Sequence, residues 1–308
     1  MGLLPNNNDE WLRKWSRSAE FLVAQMVMAF GFIARLMSRP LAMRCADLVG
    51  DFIHHVLGLR RELVYRNLGL TFPEKSPEQI NAIAEEVYRN LAVTLVDVFR
   101  FPLIRTREDV ARLVDIENPE VFWKGTDNGG KGAVLVSAHY GNWELLAFAS
   151  GMLIKPMTII VKKLSNMVLD RKMNQYRTMQ GNSIVYTDQA LREGLRLLAD
   201  GGVLAILADQ SDPSASNFGE FLGRRATMFH GAAFFALRAR VPLFMFMCRH
   251  GEDGKYKVHV HEIDTSDLTF CKEDIATLAT RYTRVLEEYI RTWPEEWFWL
   301  HNRWKNGV

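Results

Sequence analysis

The chain has 308 residues, 48% of them hydrophobic and 24% charged, with 21 Gly and 10 Pro. That composition belongs to an ordinary globular protein with ample core and excludes a disordered, collagen-like or polytopic membrane chain. A net charge of only +2 lacks the broad basic field of nucleic-acid binders, so no nucleic-acid partner is expected.

The first notable stretch is Phe21–Ala34, FLVAQMVMAFGFIA, which is apolar apart from Gln25. Arg13, Lys14 and Arg17 precede it, Arg35, Arg39 and Arg44 follow it, and no acidic residue lies between Phe21 and Ala46. A membrane span needs about 20 apolar residues, so the run is short for one. A signal peptide fits poorly, because Asp9, Glu10 and Glu20 precede the run and no small-x-small cleavage site follows it. A buried helix is one reading. The favoured one is a helix that enters the bilayer surface, or a short span, with its arginines reaching headgroups. Trp11 and Trp15 before the run fit an interface, as do Trp293, Trp297, Trp299 and Trp304 near the C-terminus. Core packing fits the last four equally well.

From Pro77 to Arg100, Ile80, Ile83, Ala84, Val87, Leu91 and Leu95 keep a helical period behind the capping sequence SPEQ. Strands and helices then alternate. Ala133–Ser137, Met157–Val161, Ser183–Tyr186, Val203–Ala208 and Val241–Met247 read as buried strands, and Tyr256–Ile263 as a half-exposed one. Helices are expected over Trp143–Leu153, Met167–Met179, Gln189–Asp200 and Lys272–Arg291, and Asp209–Thr227 as a long functional loop. The fold class is therefore α/β, a largely parallel central sheet flanked by helices, with an N-terminal membrane-associated helix.

The stretch that carries chemistry follows the strand Ala133–Ser137: Ala138-His139-Tyr140-Gly141-Asn142-Trp143-Glu144. His139 and Glu144 are five apart, about 140° around an ideal helix, so they are not a same-face pair. Instead His139 is expected on the turn past the strand end, Gly141 at a tight bend, and Glu144 in the first helical turn, facing back to the imidazole. A carboxylate on one ring nitrogen fixes the tautomer and makes the other nitrogen a better base. Open α/β sheets put their sites at this carboxyl edge. No G-x-S-x-G elbow and no nearby cysteine offers a nucleophile, so the chemistry implied is direct attack by a substrate hydroxyl. On spacing alone, a structural histidine fits as well.

Three widely spaced cysteines, Cys45, Cys248 and Cys271, argue against a disulfide framework and for a cytosol-facing location. No CxxC or Cys/His cluster points to zinc, and no metal or other cofactor is expected. His259 and His261 share one strand face and read as solvent-facing, and Glu287, Glu288, Glu295 and Glu296 as a solvated helix face.

SAHYGNWE resembles the H-x4-D/E motif of glycerolipid-type acyltransferases and, more narrowly, of the late acyltransferases of lipid A biosynthesis. Arg60-Arg61, Asn67-Leu68 and Phe72-Pro73 are similar to that family's amino-terminal signature. Arg177 with Gly181 resembles its R-x3-G element, and Gly202 with Ala208-Asp209-Gln210 its G…DQ element. Phe221-Leu222-Gly223, Ala226-Thr227 and Gly231 resemble its F-x-G…A-T…G loop, and Trp297–Lys305 its W-x-W-x-H-x-R-x-K ending. One departure is Lys162-Lys163 where the family usually carries an Arg, and the two are not equivalent at a bidentate phosphate site.

The resemblance implies a membrane-associated acyltransferase at the cytoplasmic face of the inner (plasma) membrane. It implies transfer of a fatty acyl group from a thioester, on acyl carrier protein or acyl-CoA, to a hydroxyl of a lipid A precursor. His139 would be the general base and Glu144 its orienter. Asp209 and Gln210 would shape the site, and Lys162, Arg177 and Arg224 would meet phosphates or the developing oxyanion. Residues 1–45 would form the membrane-associated segment and 46–308 the acyltransferase domain. Another phospholipid or glycolipid acceptor with acyl-CoA, a hydrolase, and a non-catalytic lipid-binding membrane protein are the alternatives.

Overall fold

The computed structural model describes residues 7–305 apart from 128 and 212–216, and the side chains of 7–20 and 23 lie outside that description. The expectations for Trp11, Arg13, Lys14, Trp15 and Arg17 therefore fall outside the described side chains.

The chain begins with helices α1 (Asn7–Leu36) and α2 (Arg39–Phe52), a π-helical turn over Ile53–Leu57, α3 (Arg61–Thr71) and α4 (Pro77–Arg100). The expected capping box opens α4. Ser76 Oγ accepts from Gln79 N at 3.3 Å, and Gln79 Oε1 accepts from Ser76 N at 2.9 Å. Then follow α5 (Arg107–Ala111), β1 (Val114–Ile116), α6 (Glu120–Gly125), β2 (Ala133–Ser137), α7 (Trp143–Leu153), β3 (Met157–Val161), α8 (Met167–Thr178), β4 (Ser183–Tyr186), α9 (Ala190–Ala199) and β5 (Val203–Leu207). A hairpin, β6 (Phe218–Phe221) and β7 (Arg224–Thr227), precedes α10 (Gly231–Ala239), β8 (Leu243–His250), β9 (Tyr256–Ile263) and α11 (Lys272–Thr292).

Seven strands form one sheet in the order β1-β9-β8-β2-β5-β3-β4. The sheet is parallel except where β8 meets β9, so β9 and β1 run against the other five. Because side chains alternate along a strand, β2 and β5 feed two cores. Val134, Val136, Leu204 and Ile206 pack with α4, α10, α11 and the C-terminal tryptophans. Ala133, Leu135, Val203 and Ala205 pack with α6 and α7 on the opposite face. The α/β class and the largely parallel sheet therefore agree with the expectation. β8 starts two residues later than the run from Val241 predicts, and it extends to His250. Pro242 precedes it and serves as an acceptor, its carbonyl bonded to Val134 N at 3.0 Å. Asp209–Thr227 is not wholly irregular, since the β6–β7 hairpin closes its second half.

No helix among the described residues is long and apolar enough to cross a membrane. α1 is two-sided instead. Ala24 and Ala34 are buried, Gly31 lies against the Phe99 ring, and Val27 and Phe30 pack onto the core. Arg100 donates to the carbonyls of Ala34 and Met37, fixing the end of α1. The other side exposes Phe21, Leu22, Met26, Phe32, Ile33 and Leu36. A fully buried helix is corrected by this placement.

The interfacial reading of the C-terminal tryptophans is also corrected. Trp297, Trp299 and Trp304 are buried against one another and against Phe72 and Phe221. Glu296 is buried rather than solvated, because its carboxylate holds His250 Nδ1 at 2.9 Å and His250 N at 3.0 Å. Glu287 accepts from Leu222 N at 2.6 Å. His261 is half-buried, with Nε2 3.0 Å from Tyr289 Oη, while His259 Nδ1 lies 3.4 Å from Glu117.

Candidate active site

β2 delivers His139 to the carboxyl edge of the sheet, and main-chain bonds hold it there. His139 O accepts from Phe298 N at 2.9 Å, and Glu296 O accepts from Gly141 N at 2.8 Å. Gly141 has φ +56°, and a Cβ at that position would lie 1.9 Å from Cys248 O, so the bend requires glycine. The next residue, Asn142, caps α7 by accepting from Leu145 N at 3.0 Å. Its amide donates to the buried Asp97 carboxylate at 3.0 Å, which also accepts from Tyr256 Oη at 3.0 Å and Arg39 at 2.8 Å. The turn between His139 and α7 is thus fixed at both ends.

The imidazole is paired with Asp209, immediately after β5 and Ala208. Asp209 Oδ1 lies 2.9 Å from His139 Nδ1, and Oδ2 accepts from the Trp297 indole at 3.0 Å. Ionised Asp209 can only accept, so Nδ1 carries the proton and the lone pair of a neutral ring sits on Nε2. Burial by itself pushes the imidazolium pKa down. The Asp209 charge and hydrogen bond outweigh it, and His139 titrates above its ordinary value of 6.5. Burial likewise pushes Asp209 up, but His139 and the indole donor leave it below the usual carboxylate range.

Glu144 is not the orienter of His139, and the expected turn-back is corrected. It occupies the first turn of α7 as predicted, but its two oxygens take Arg177 as a fork: Nε at 2.9 Å and the terminal nitrogen at 2.5 Å. A planar guanidinium meets a carboxylate through two bonds, whereas an imidazole offers one donor, so α8 captures the side chain. Burial pushes the Arg177 pKa down, yet Glu144 brings it above the ordinary value. Glu144 still adds negative potential at His139, as a charge near the ring and not as a bonded partner.

His139, Glu144 and Arg177 line a cavity of about 440 Å³ together with Lys162, Gln210, Ser211 and a mostly apolar wall that includes Leu135, Leu146, Met157, Ile159 and Ala205. Gln210 Nε2 lies 3.5 Å from His139 Nε2, at the ring's free side. Lys162 is exposed at the cavity rim. Asp209 lies beneath the imidazole rather than among the lining residues, and Arg224 is elsewhere. The Arg224 guanidinium stacks 4.0 Å above the Trp304 ring, and burial with Arg66 nearby lowers its pKa.

The terminal motif braces this arrangement, a role its sequence did not disclose. Trp297 holds Asp209, His301 Nε2 accepts from Ser211 N at 3.3 Å, and buried Arg303 donates to Thr227 O at 2.6 Å. Burial pushes His301 down to about 4, keeping it an acceptor near neutrality. The amino-terminal signature clamps the same segment. Arg60 donates to Leu300 O at 2.9 Å, and Asn67 to Trp299 O and His301 O at 3.3 Å.

This site has the parts for deprotonating a hydroxyl beside an apolar chamber. The chain belongs to the bacterial lipid A biosynthesis acyltransferase family, which it matches over residues 13–306. It is an acyltransferase. It is 25% identical over 215 residues to the phosphatidylinositol mannoside acyltransferase of Mycolicibacterium smegmatis, covering 68% of this chain and 67% of that one. It is 23% identical to the lipid A biosynthesis palmitoleoyltransferase of Escherichia coli, covering 83% and 82% of the two chains. With the lauroyltransferase of the same organism and pathway it shares 24% identity over 86% of each.

Proposed function

We propose that this acyltransferase moves a fatty acyl group from an acyl thioester, with acyl carrier protein as donor, to a hydroxyl of a lipid A precursor. The observation that carries the reading is His139, held by Asp209 on Nδ1, with Nε2 facing an apolar cavity beside Gln210. Nε2 takes the proton of the acceptor hydroxyl as its oxygen bonds to the thioester carbonyl carbon. The tetrahedral intermediate then collapses, the C–S bond breaks, and the thiolate leaves with the proton from the imidazolium. Asp209 holds the tautomer and offsets the charge that forms on the ring, as the carboxylate of a catalytic triad does. Gln210, its amide nitrogen 3.5 Å from His139 Nε2, can donate towards the reacting centre, and Lys162 at the rim suits a phosphate of donor or acceptor. Glu144 and Arg177 close the cavity wall as a neutral pair.

The acceptor is a lipid, so the enzyme works at a membrane, at the cytoplasmic face of the inner membrane in this reading. The apolar faces of α1 and α2 support docking at the surface: Met26, Leu36 and Leu48 are each about 70% exposed. The relative named for a phosphatidylinositol mannoside supports a second reading in its acceptor, a glycolipid, for which the donor would be acyl-CoA. One experiment tests both. Purified protein is given acyl-carrier-protein or CoA thioester with a lipid A precursor or a phosphatidylinositol mannoside, and products are weighed by mass spectrometry. Acylated lipid A precursor is expected with the wild type and not with His139→Ala. Acylation of only the inositol lipid supports the second reading, and free fatty acid alone defeats both.

A further inference from the structure

Away from the site, the π-turn Ile53–Leu57 places two adjacent histidines beside α4. Neighbouring residues on an α-helix diverge by roughly 100°. Here the rings of His54 and His55 come within 4.4 Å, centroid to centroid. One nitrogen of each, with one carboxylate oxygen of Glu85 on α4, lie within 4.8 Å of one another. His55 Nε2 and Glu85 Oε1 are 3.6 Å apart. That is too long for a hydrogen bond, and close to the edge of a tetrahedron with bonds of about 2.1 Å.

A hydrogen-bond relay determines which nitrogen of His54 is bare. Asn81 Nδ2 donates to Glu85 Oε1 at 2.9 Å, which orients the amide and leaves Asn81 Oδ1 to accept from Tyr65 Oη at 2.5 Å. The Tyr65 proton is committed to Asn81, so its oxygen accepts from His54 Nε2 at 3.1 Å. The neutral ring then keeps its lone pair on Nδ1. His54 is 1% exposed, and Nδ1 has no hydrogen-bond partner. Metal-bound histidines are held in this way, with the second ring nitrogen donating to an outer partner.

We propose that His54, His55 and Glu85 bind a zinc-class divalent cation that staples the π-turn to α4. Two imidazoles and a carboxylate suit Zn²⁺ and its neighbours, and water fills the remaining position. His55 is the mobile ligand, its side chain half-exposed, so it can close the remaining distance.

The test uses tag-free full-length protein titrated with Co²⁺, read by visible absorption, and with Zn²⁺, read by competition with a chromophoric chelator. Saturable binding of one ion per chain is expected, with a Zn²⁺-dependent rise in melting temperature. His55→Ala changes a half-exposed group, and Glu85→Gln keeps a side-chain oxygen that can accept from Asn81 Nδ2, so both should melt like the wild type without metal and bind at least about tenfold more weakly. Tyr65→Phe, which frees the His54 tautomer, should cost about 10–100-fold. Absence of saturable binding overturns the proposal. So does binding that survives His55→Ala and Glu85→Gln, whether or not it is lost in His259→Ala, whose ring lies 4.6 Å from that of His261.

Discussion

Asp209 Oδ1 sits 2.9 Å from His139 Nδ1 although 70 positions separate the two residues in the chain. Parallel pairing of β2 with β5 produces the contact. Ser137 and Leu207 are register partners, so the residues just beyond both strand ends meet at the same edge. The imidazole is therefore held by the neighbouring strand rather than by its own helix.

Asp209→Asn tests that relationship. The amide keeps the size and the bond to Trp297 but favours the wrong imidazole tautomer, and it removes the charge that offsets the imidazolium. By analogy with triads, acyl transfer should fall by about 10²–10⁴-fold in kcat with KM little changed. Steady-state kinetics and a circular dichroism melt of the same preparation check it. A variant within a factor of three of wild type would defeat the role given to Asp209.

The pH profile gives a second test. A base must be unprotonated to act, and Asp209 holds the His139 pKa above 6.5. Activity should therefore rise with pH through an inflection above 6.5, then level. In Asp209→Asn the raising influence is lost while burial still pushes the ring down, so the inflection should move to lower pH at a much lower plateau. A wild-type kcat that is flat from pH 5 to 8 would be incompatible with an essential His139 base.

Glu144 and Arg177 make a separate prediction. Their side chains are 9% and 21% exposed, so each shields the other from an unpaired buried charge. Removing one partner of a fully buried pair costs about 3–5 kcal/mol. With Arg177 partly wet, Glu144→Gln or Arg177→Met should each cost about 1–3 kcal/mol by urea denaturation, and the double variant less than their sum. Glu144→Gln should leave the pH inflection closer to wild type than Asp209→Asn does. Equal shifts in the two variants would restore Glu144 as the orienter.

The strands that position the site were legible because they are short apolar runs between helical periods. Met157–Val161, Ser183–Tyr186 and Tyr256–Ile263 begin and end where the pattern says. His139 and Gly141 were legible too, as a histidine and a bend at a strand end. The partner of His139 was not. Local spacing favours Glu144 five residues on, whereas the contact with Asp209 depends on strand order, β2 beside β5, which no periodicity encodes. The tryptophans misled for a related reason: an amphipathic side chain reads alike at an interface and in a core with an internal acceptor. Trp297 finds Asp209, and Trp299 finds Pro294 O at 2.6 Å. α1 was ambiguous because its apolar run serves two surfaces at once, Phe99 and α4 on one side and solvent on the other.

That two-sidedness decides how membrane docking is best tested. Deleting residues 1–36 would remove the exposed face, but also the packing of Val27, Phe30 and Ala34 on the core, so a loss would be ambiguous. Met26→Asp and Leu36→Asp change only exposed side chains, and Leu48→Asp extends the test to α2. Each apolar side chain withdrawn from an interface loses on the order of 1.5–3 kcal/mol of burial, so each variant should weaken partition onto anionic vesicles by about ten- to a hundredfold. Fluorescence or flotation with liposomes measures it, and turnover on a water-soluble acceptor should stay near wild type. If the triple variant sediments with vesicles as well as the wild type does, the docking face lies elsewhere on the molecule, and α1 exposes its apolar side for another reason.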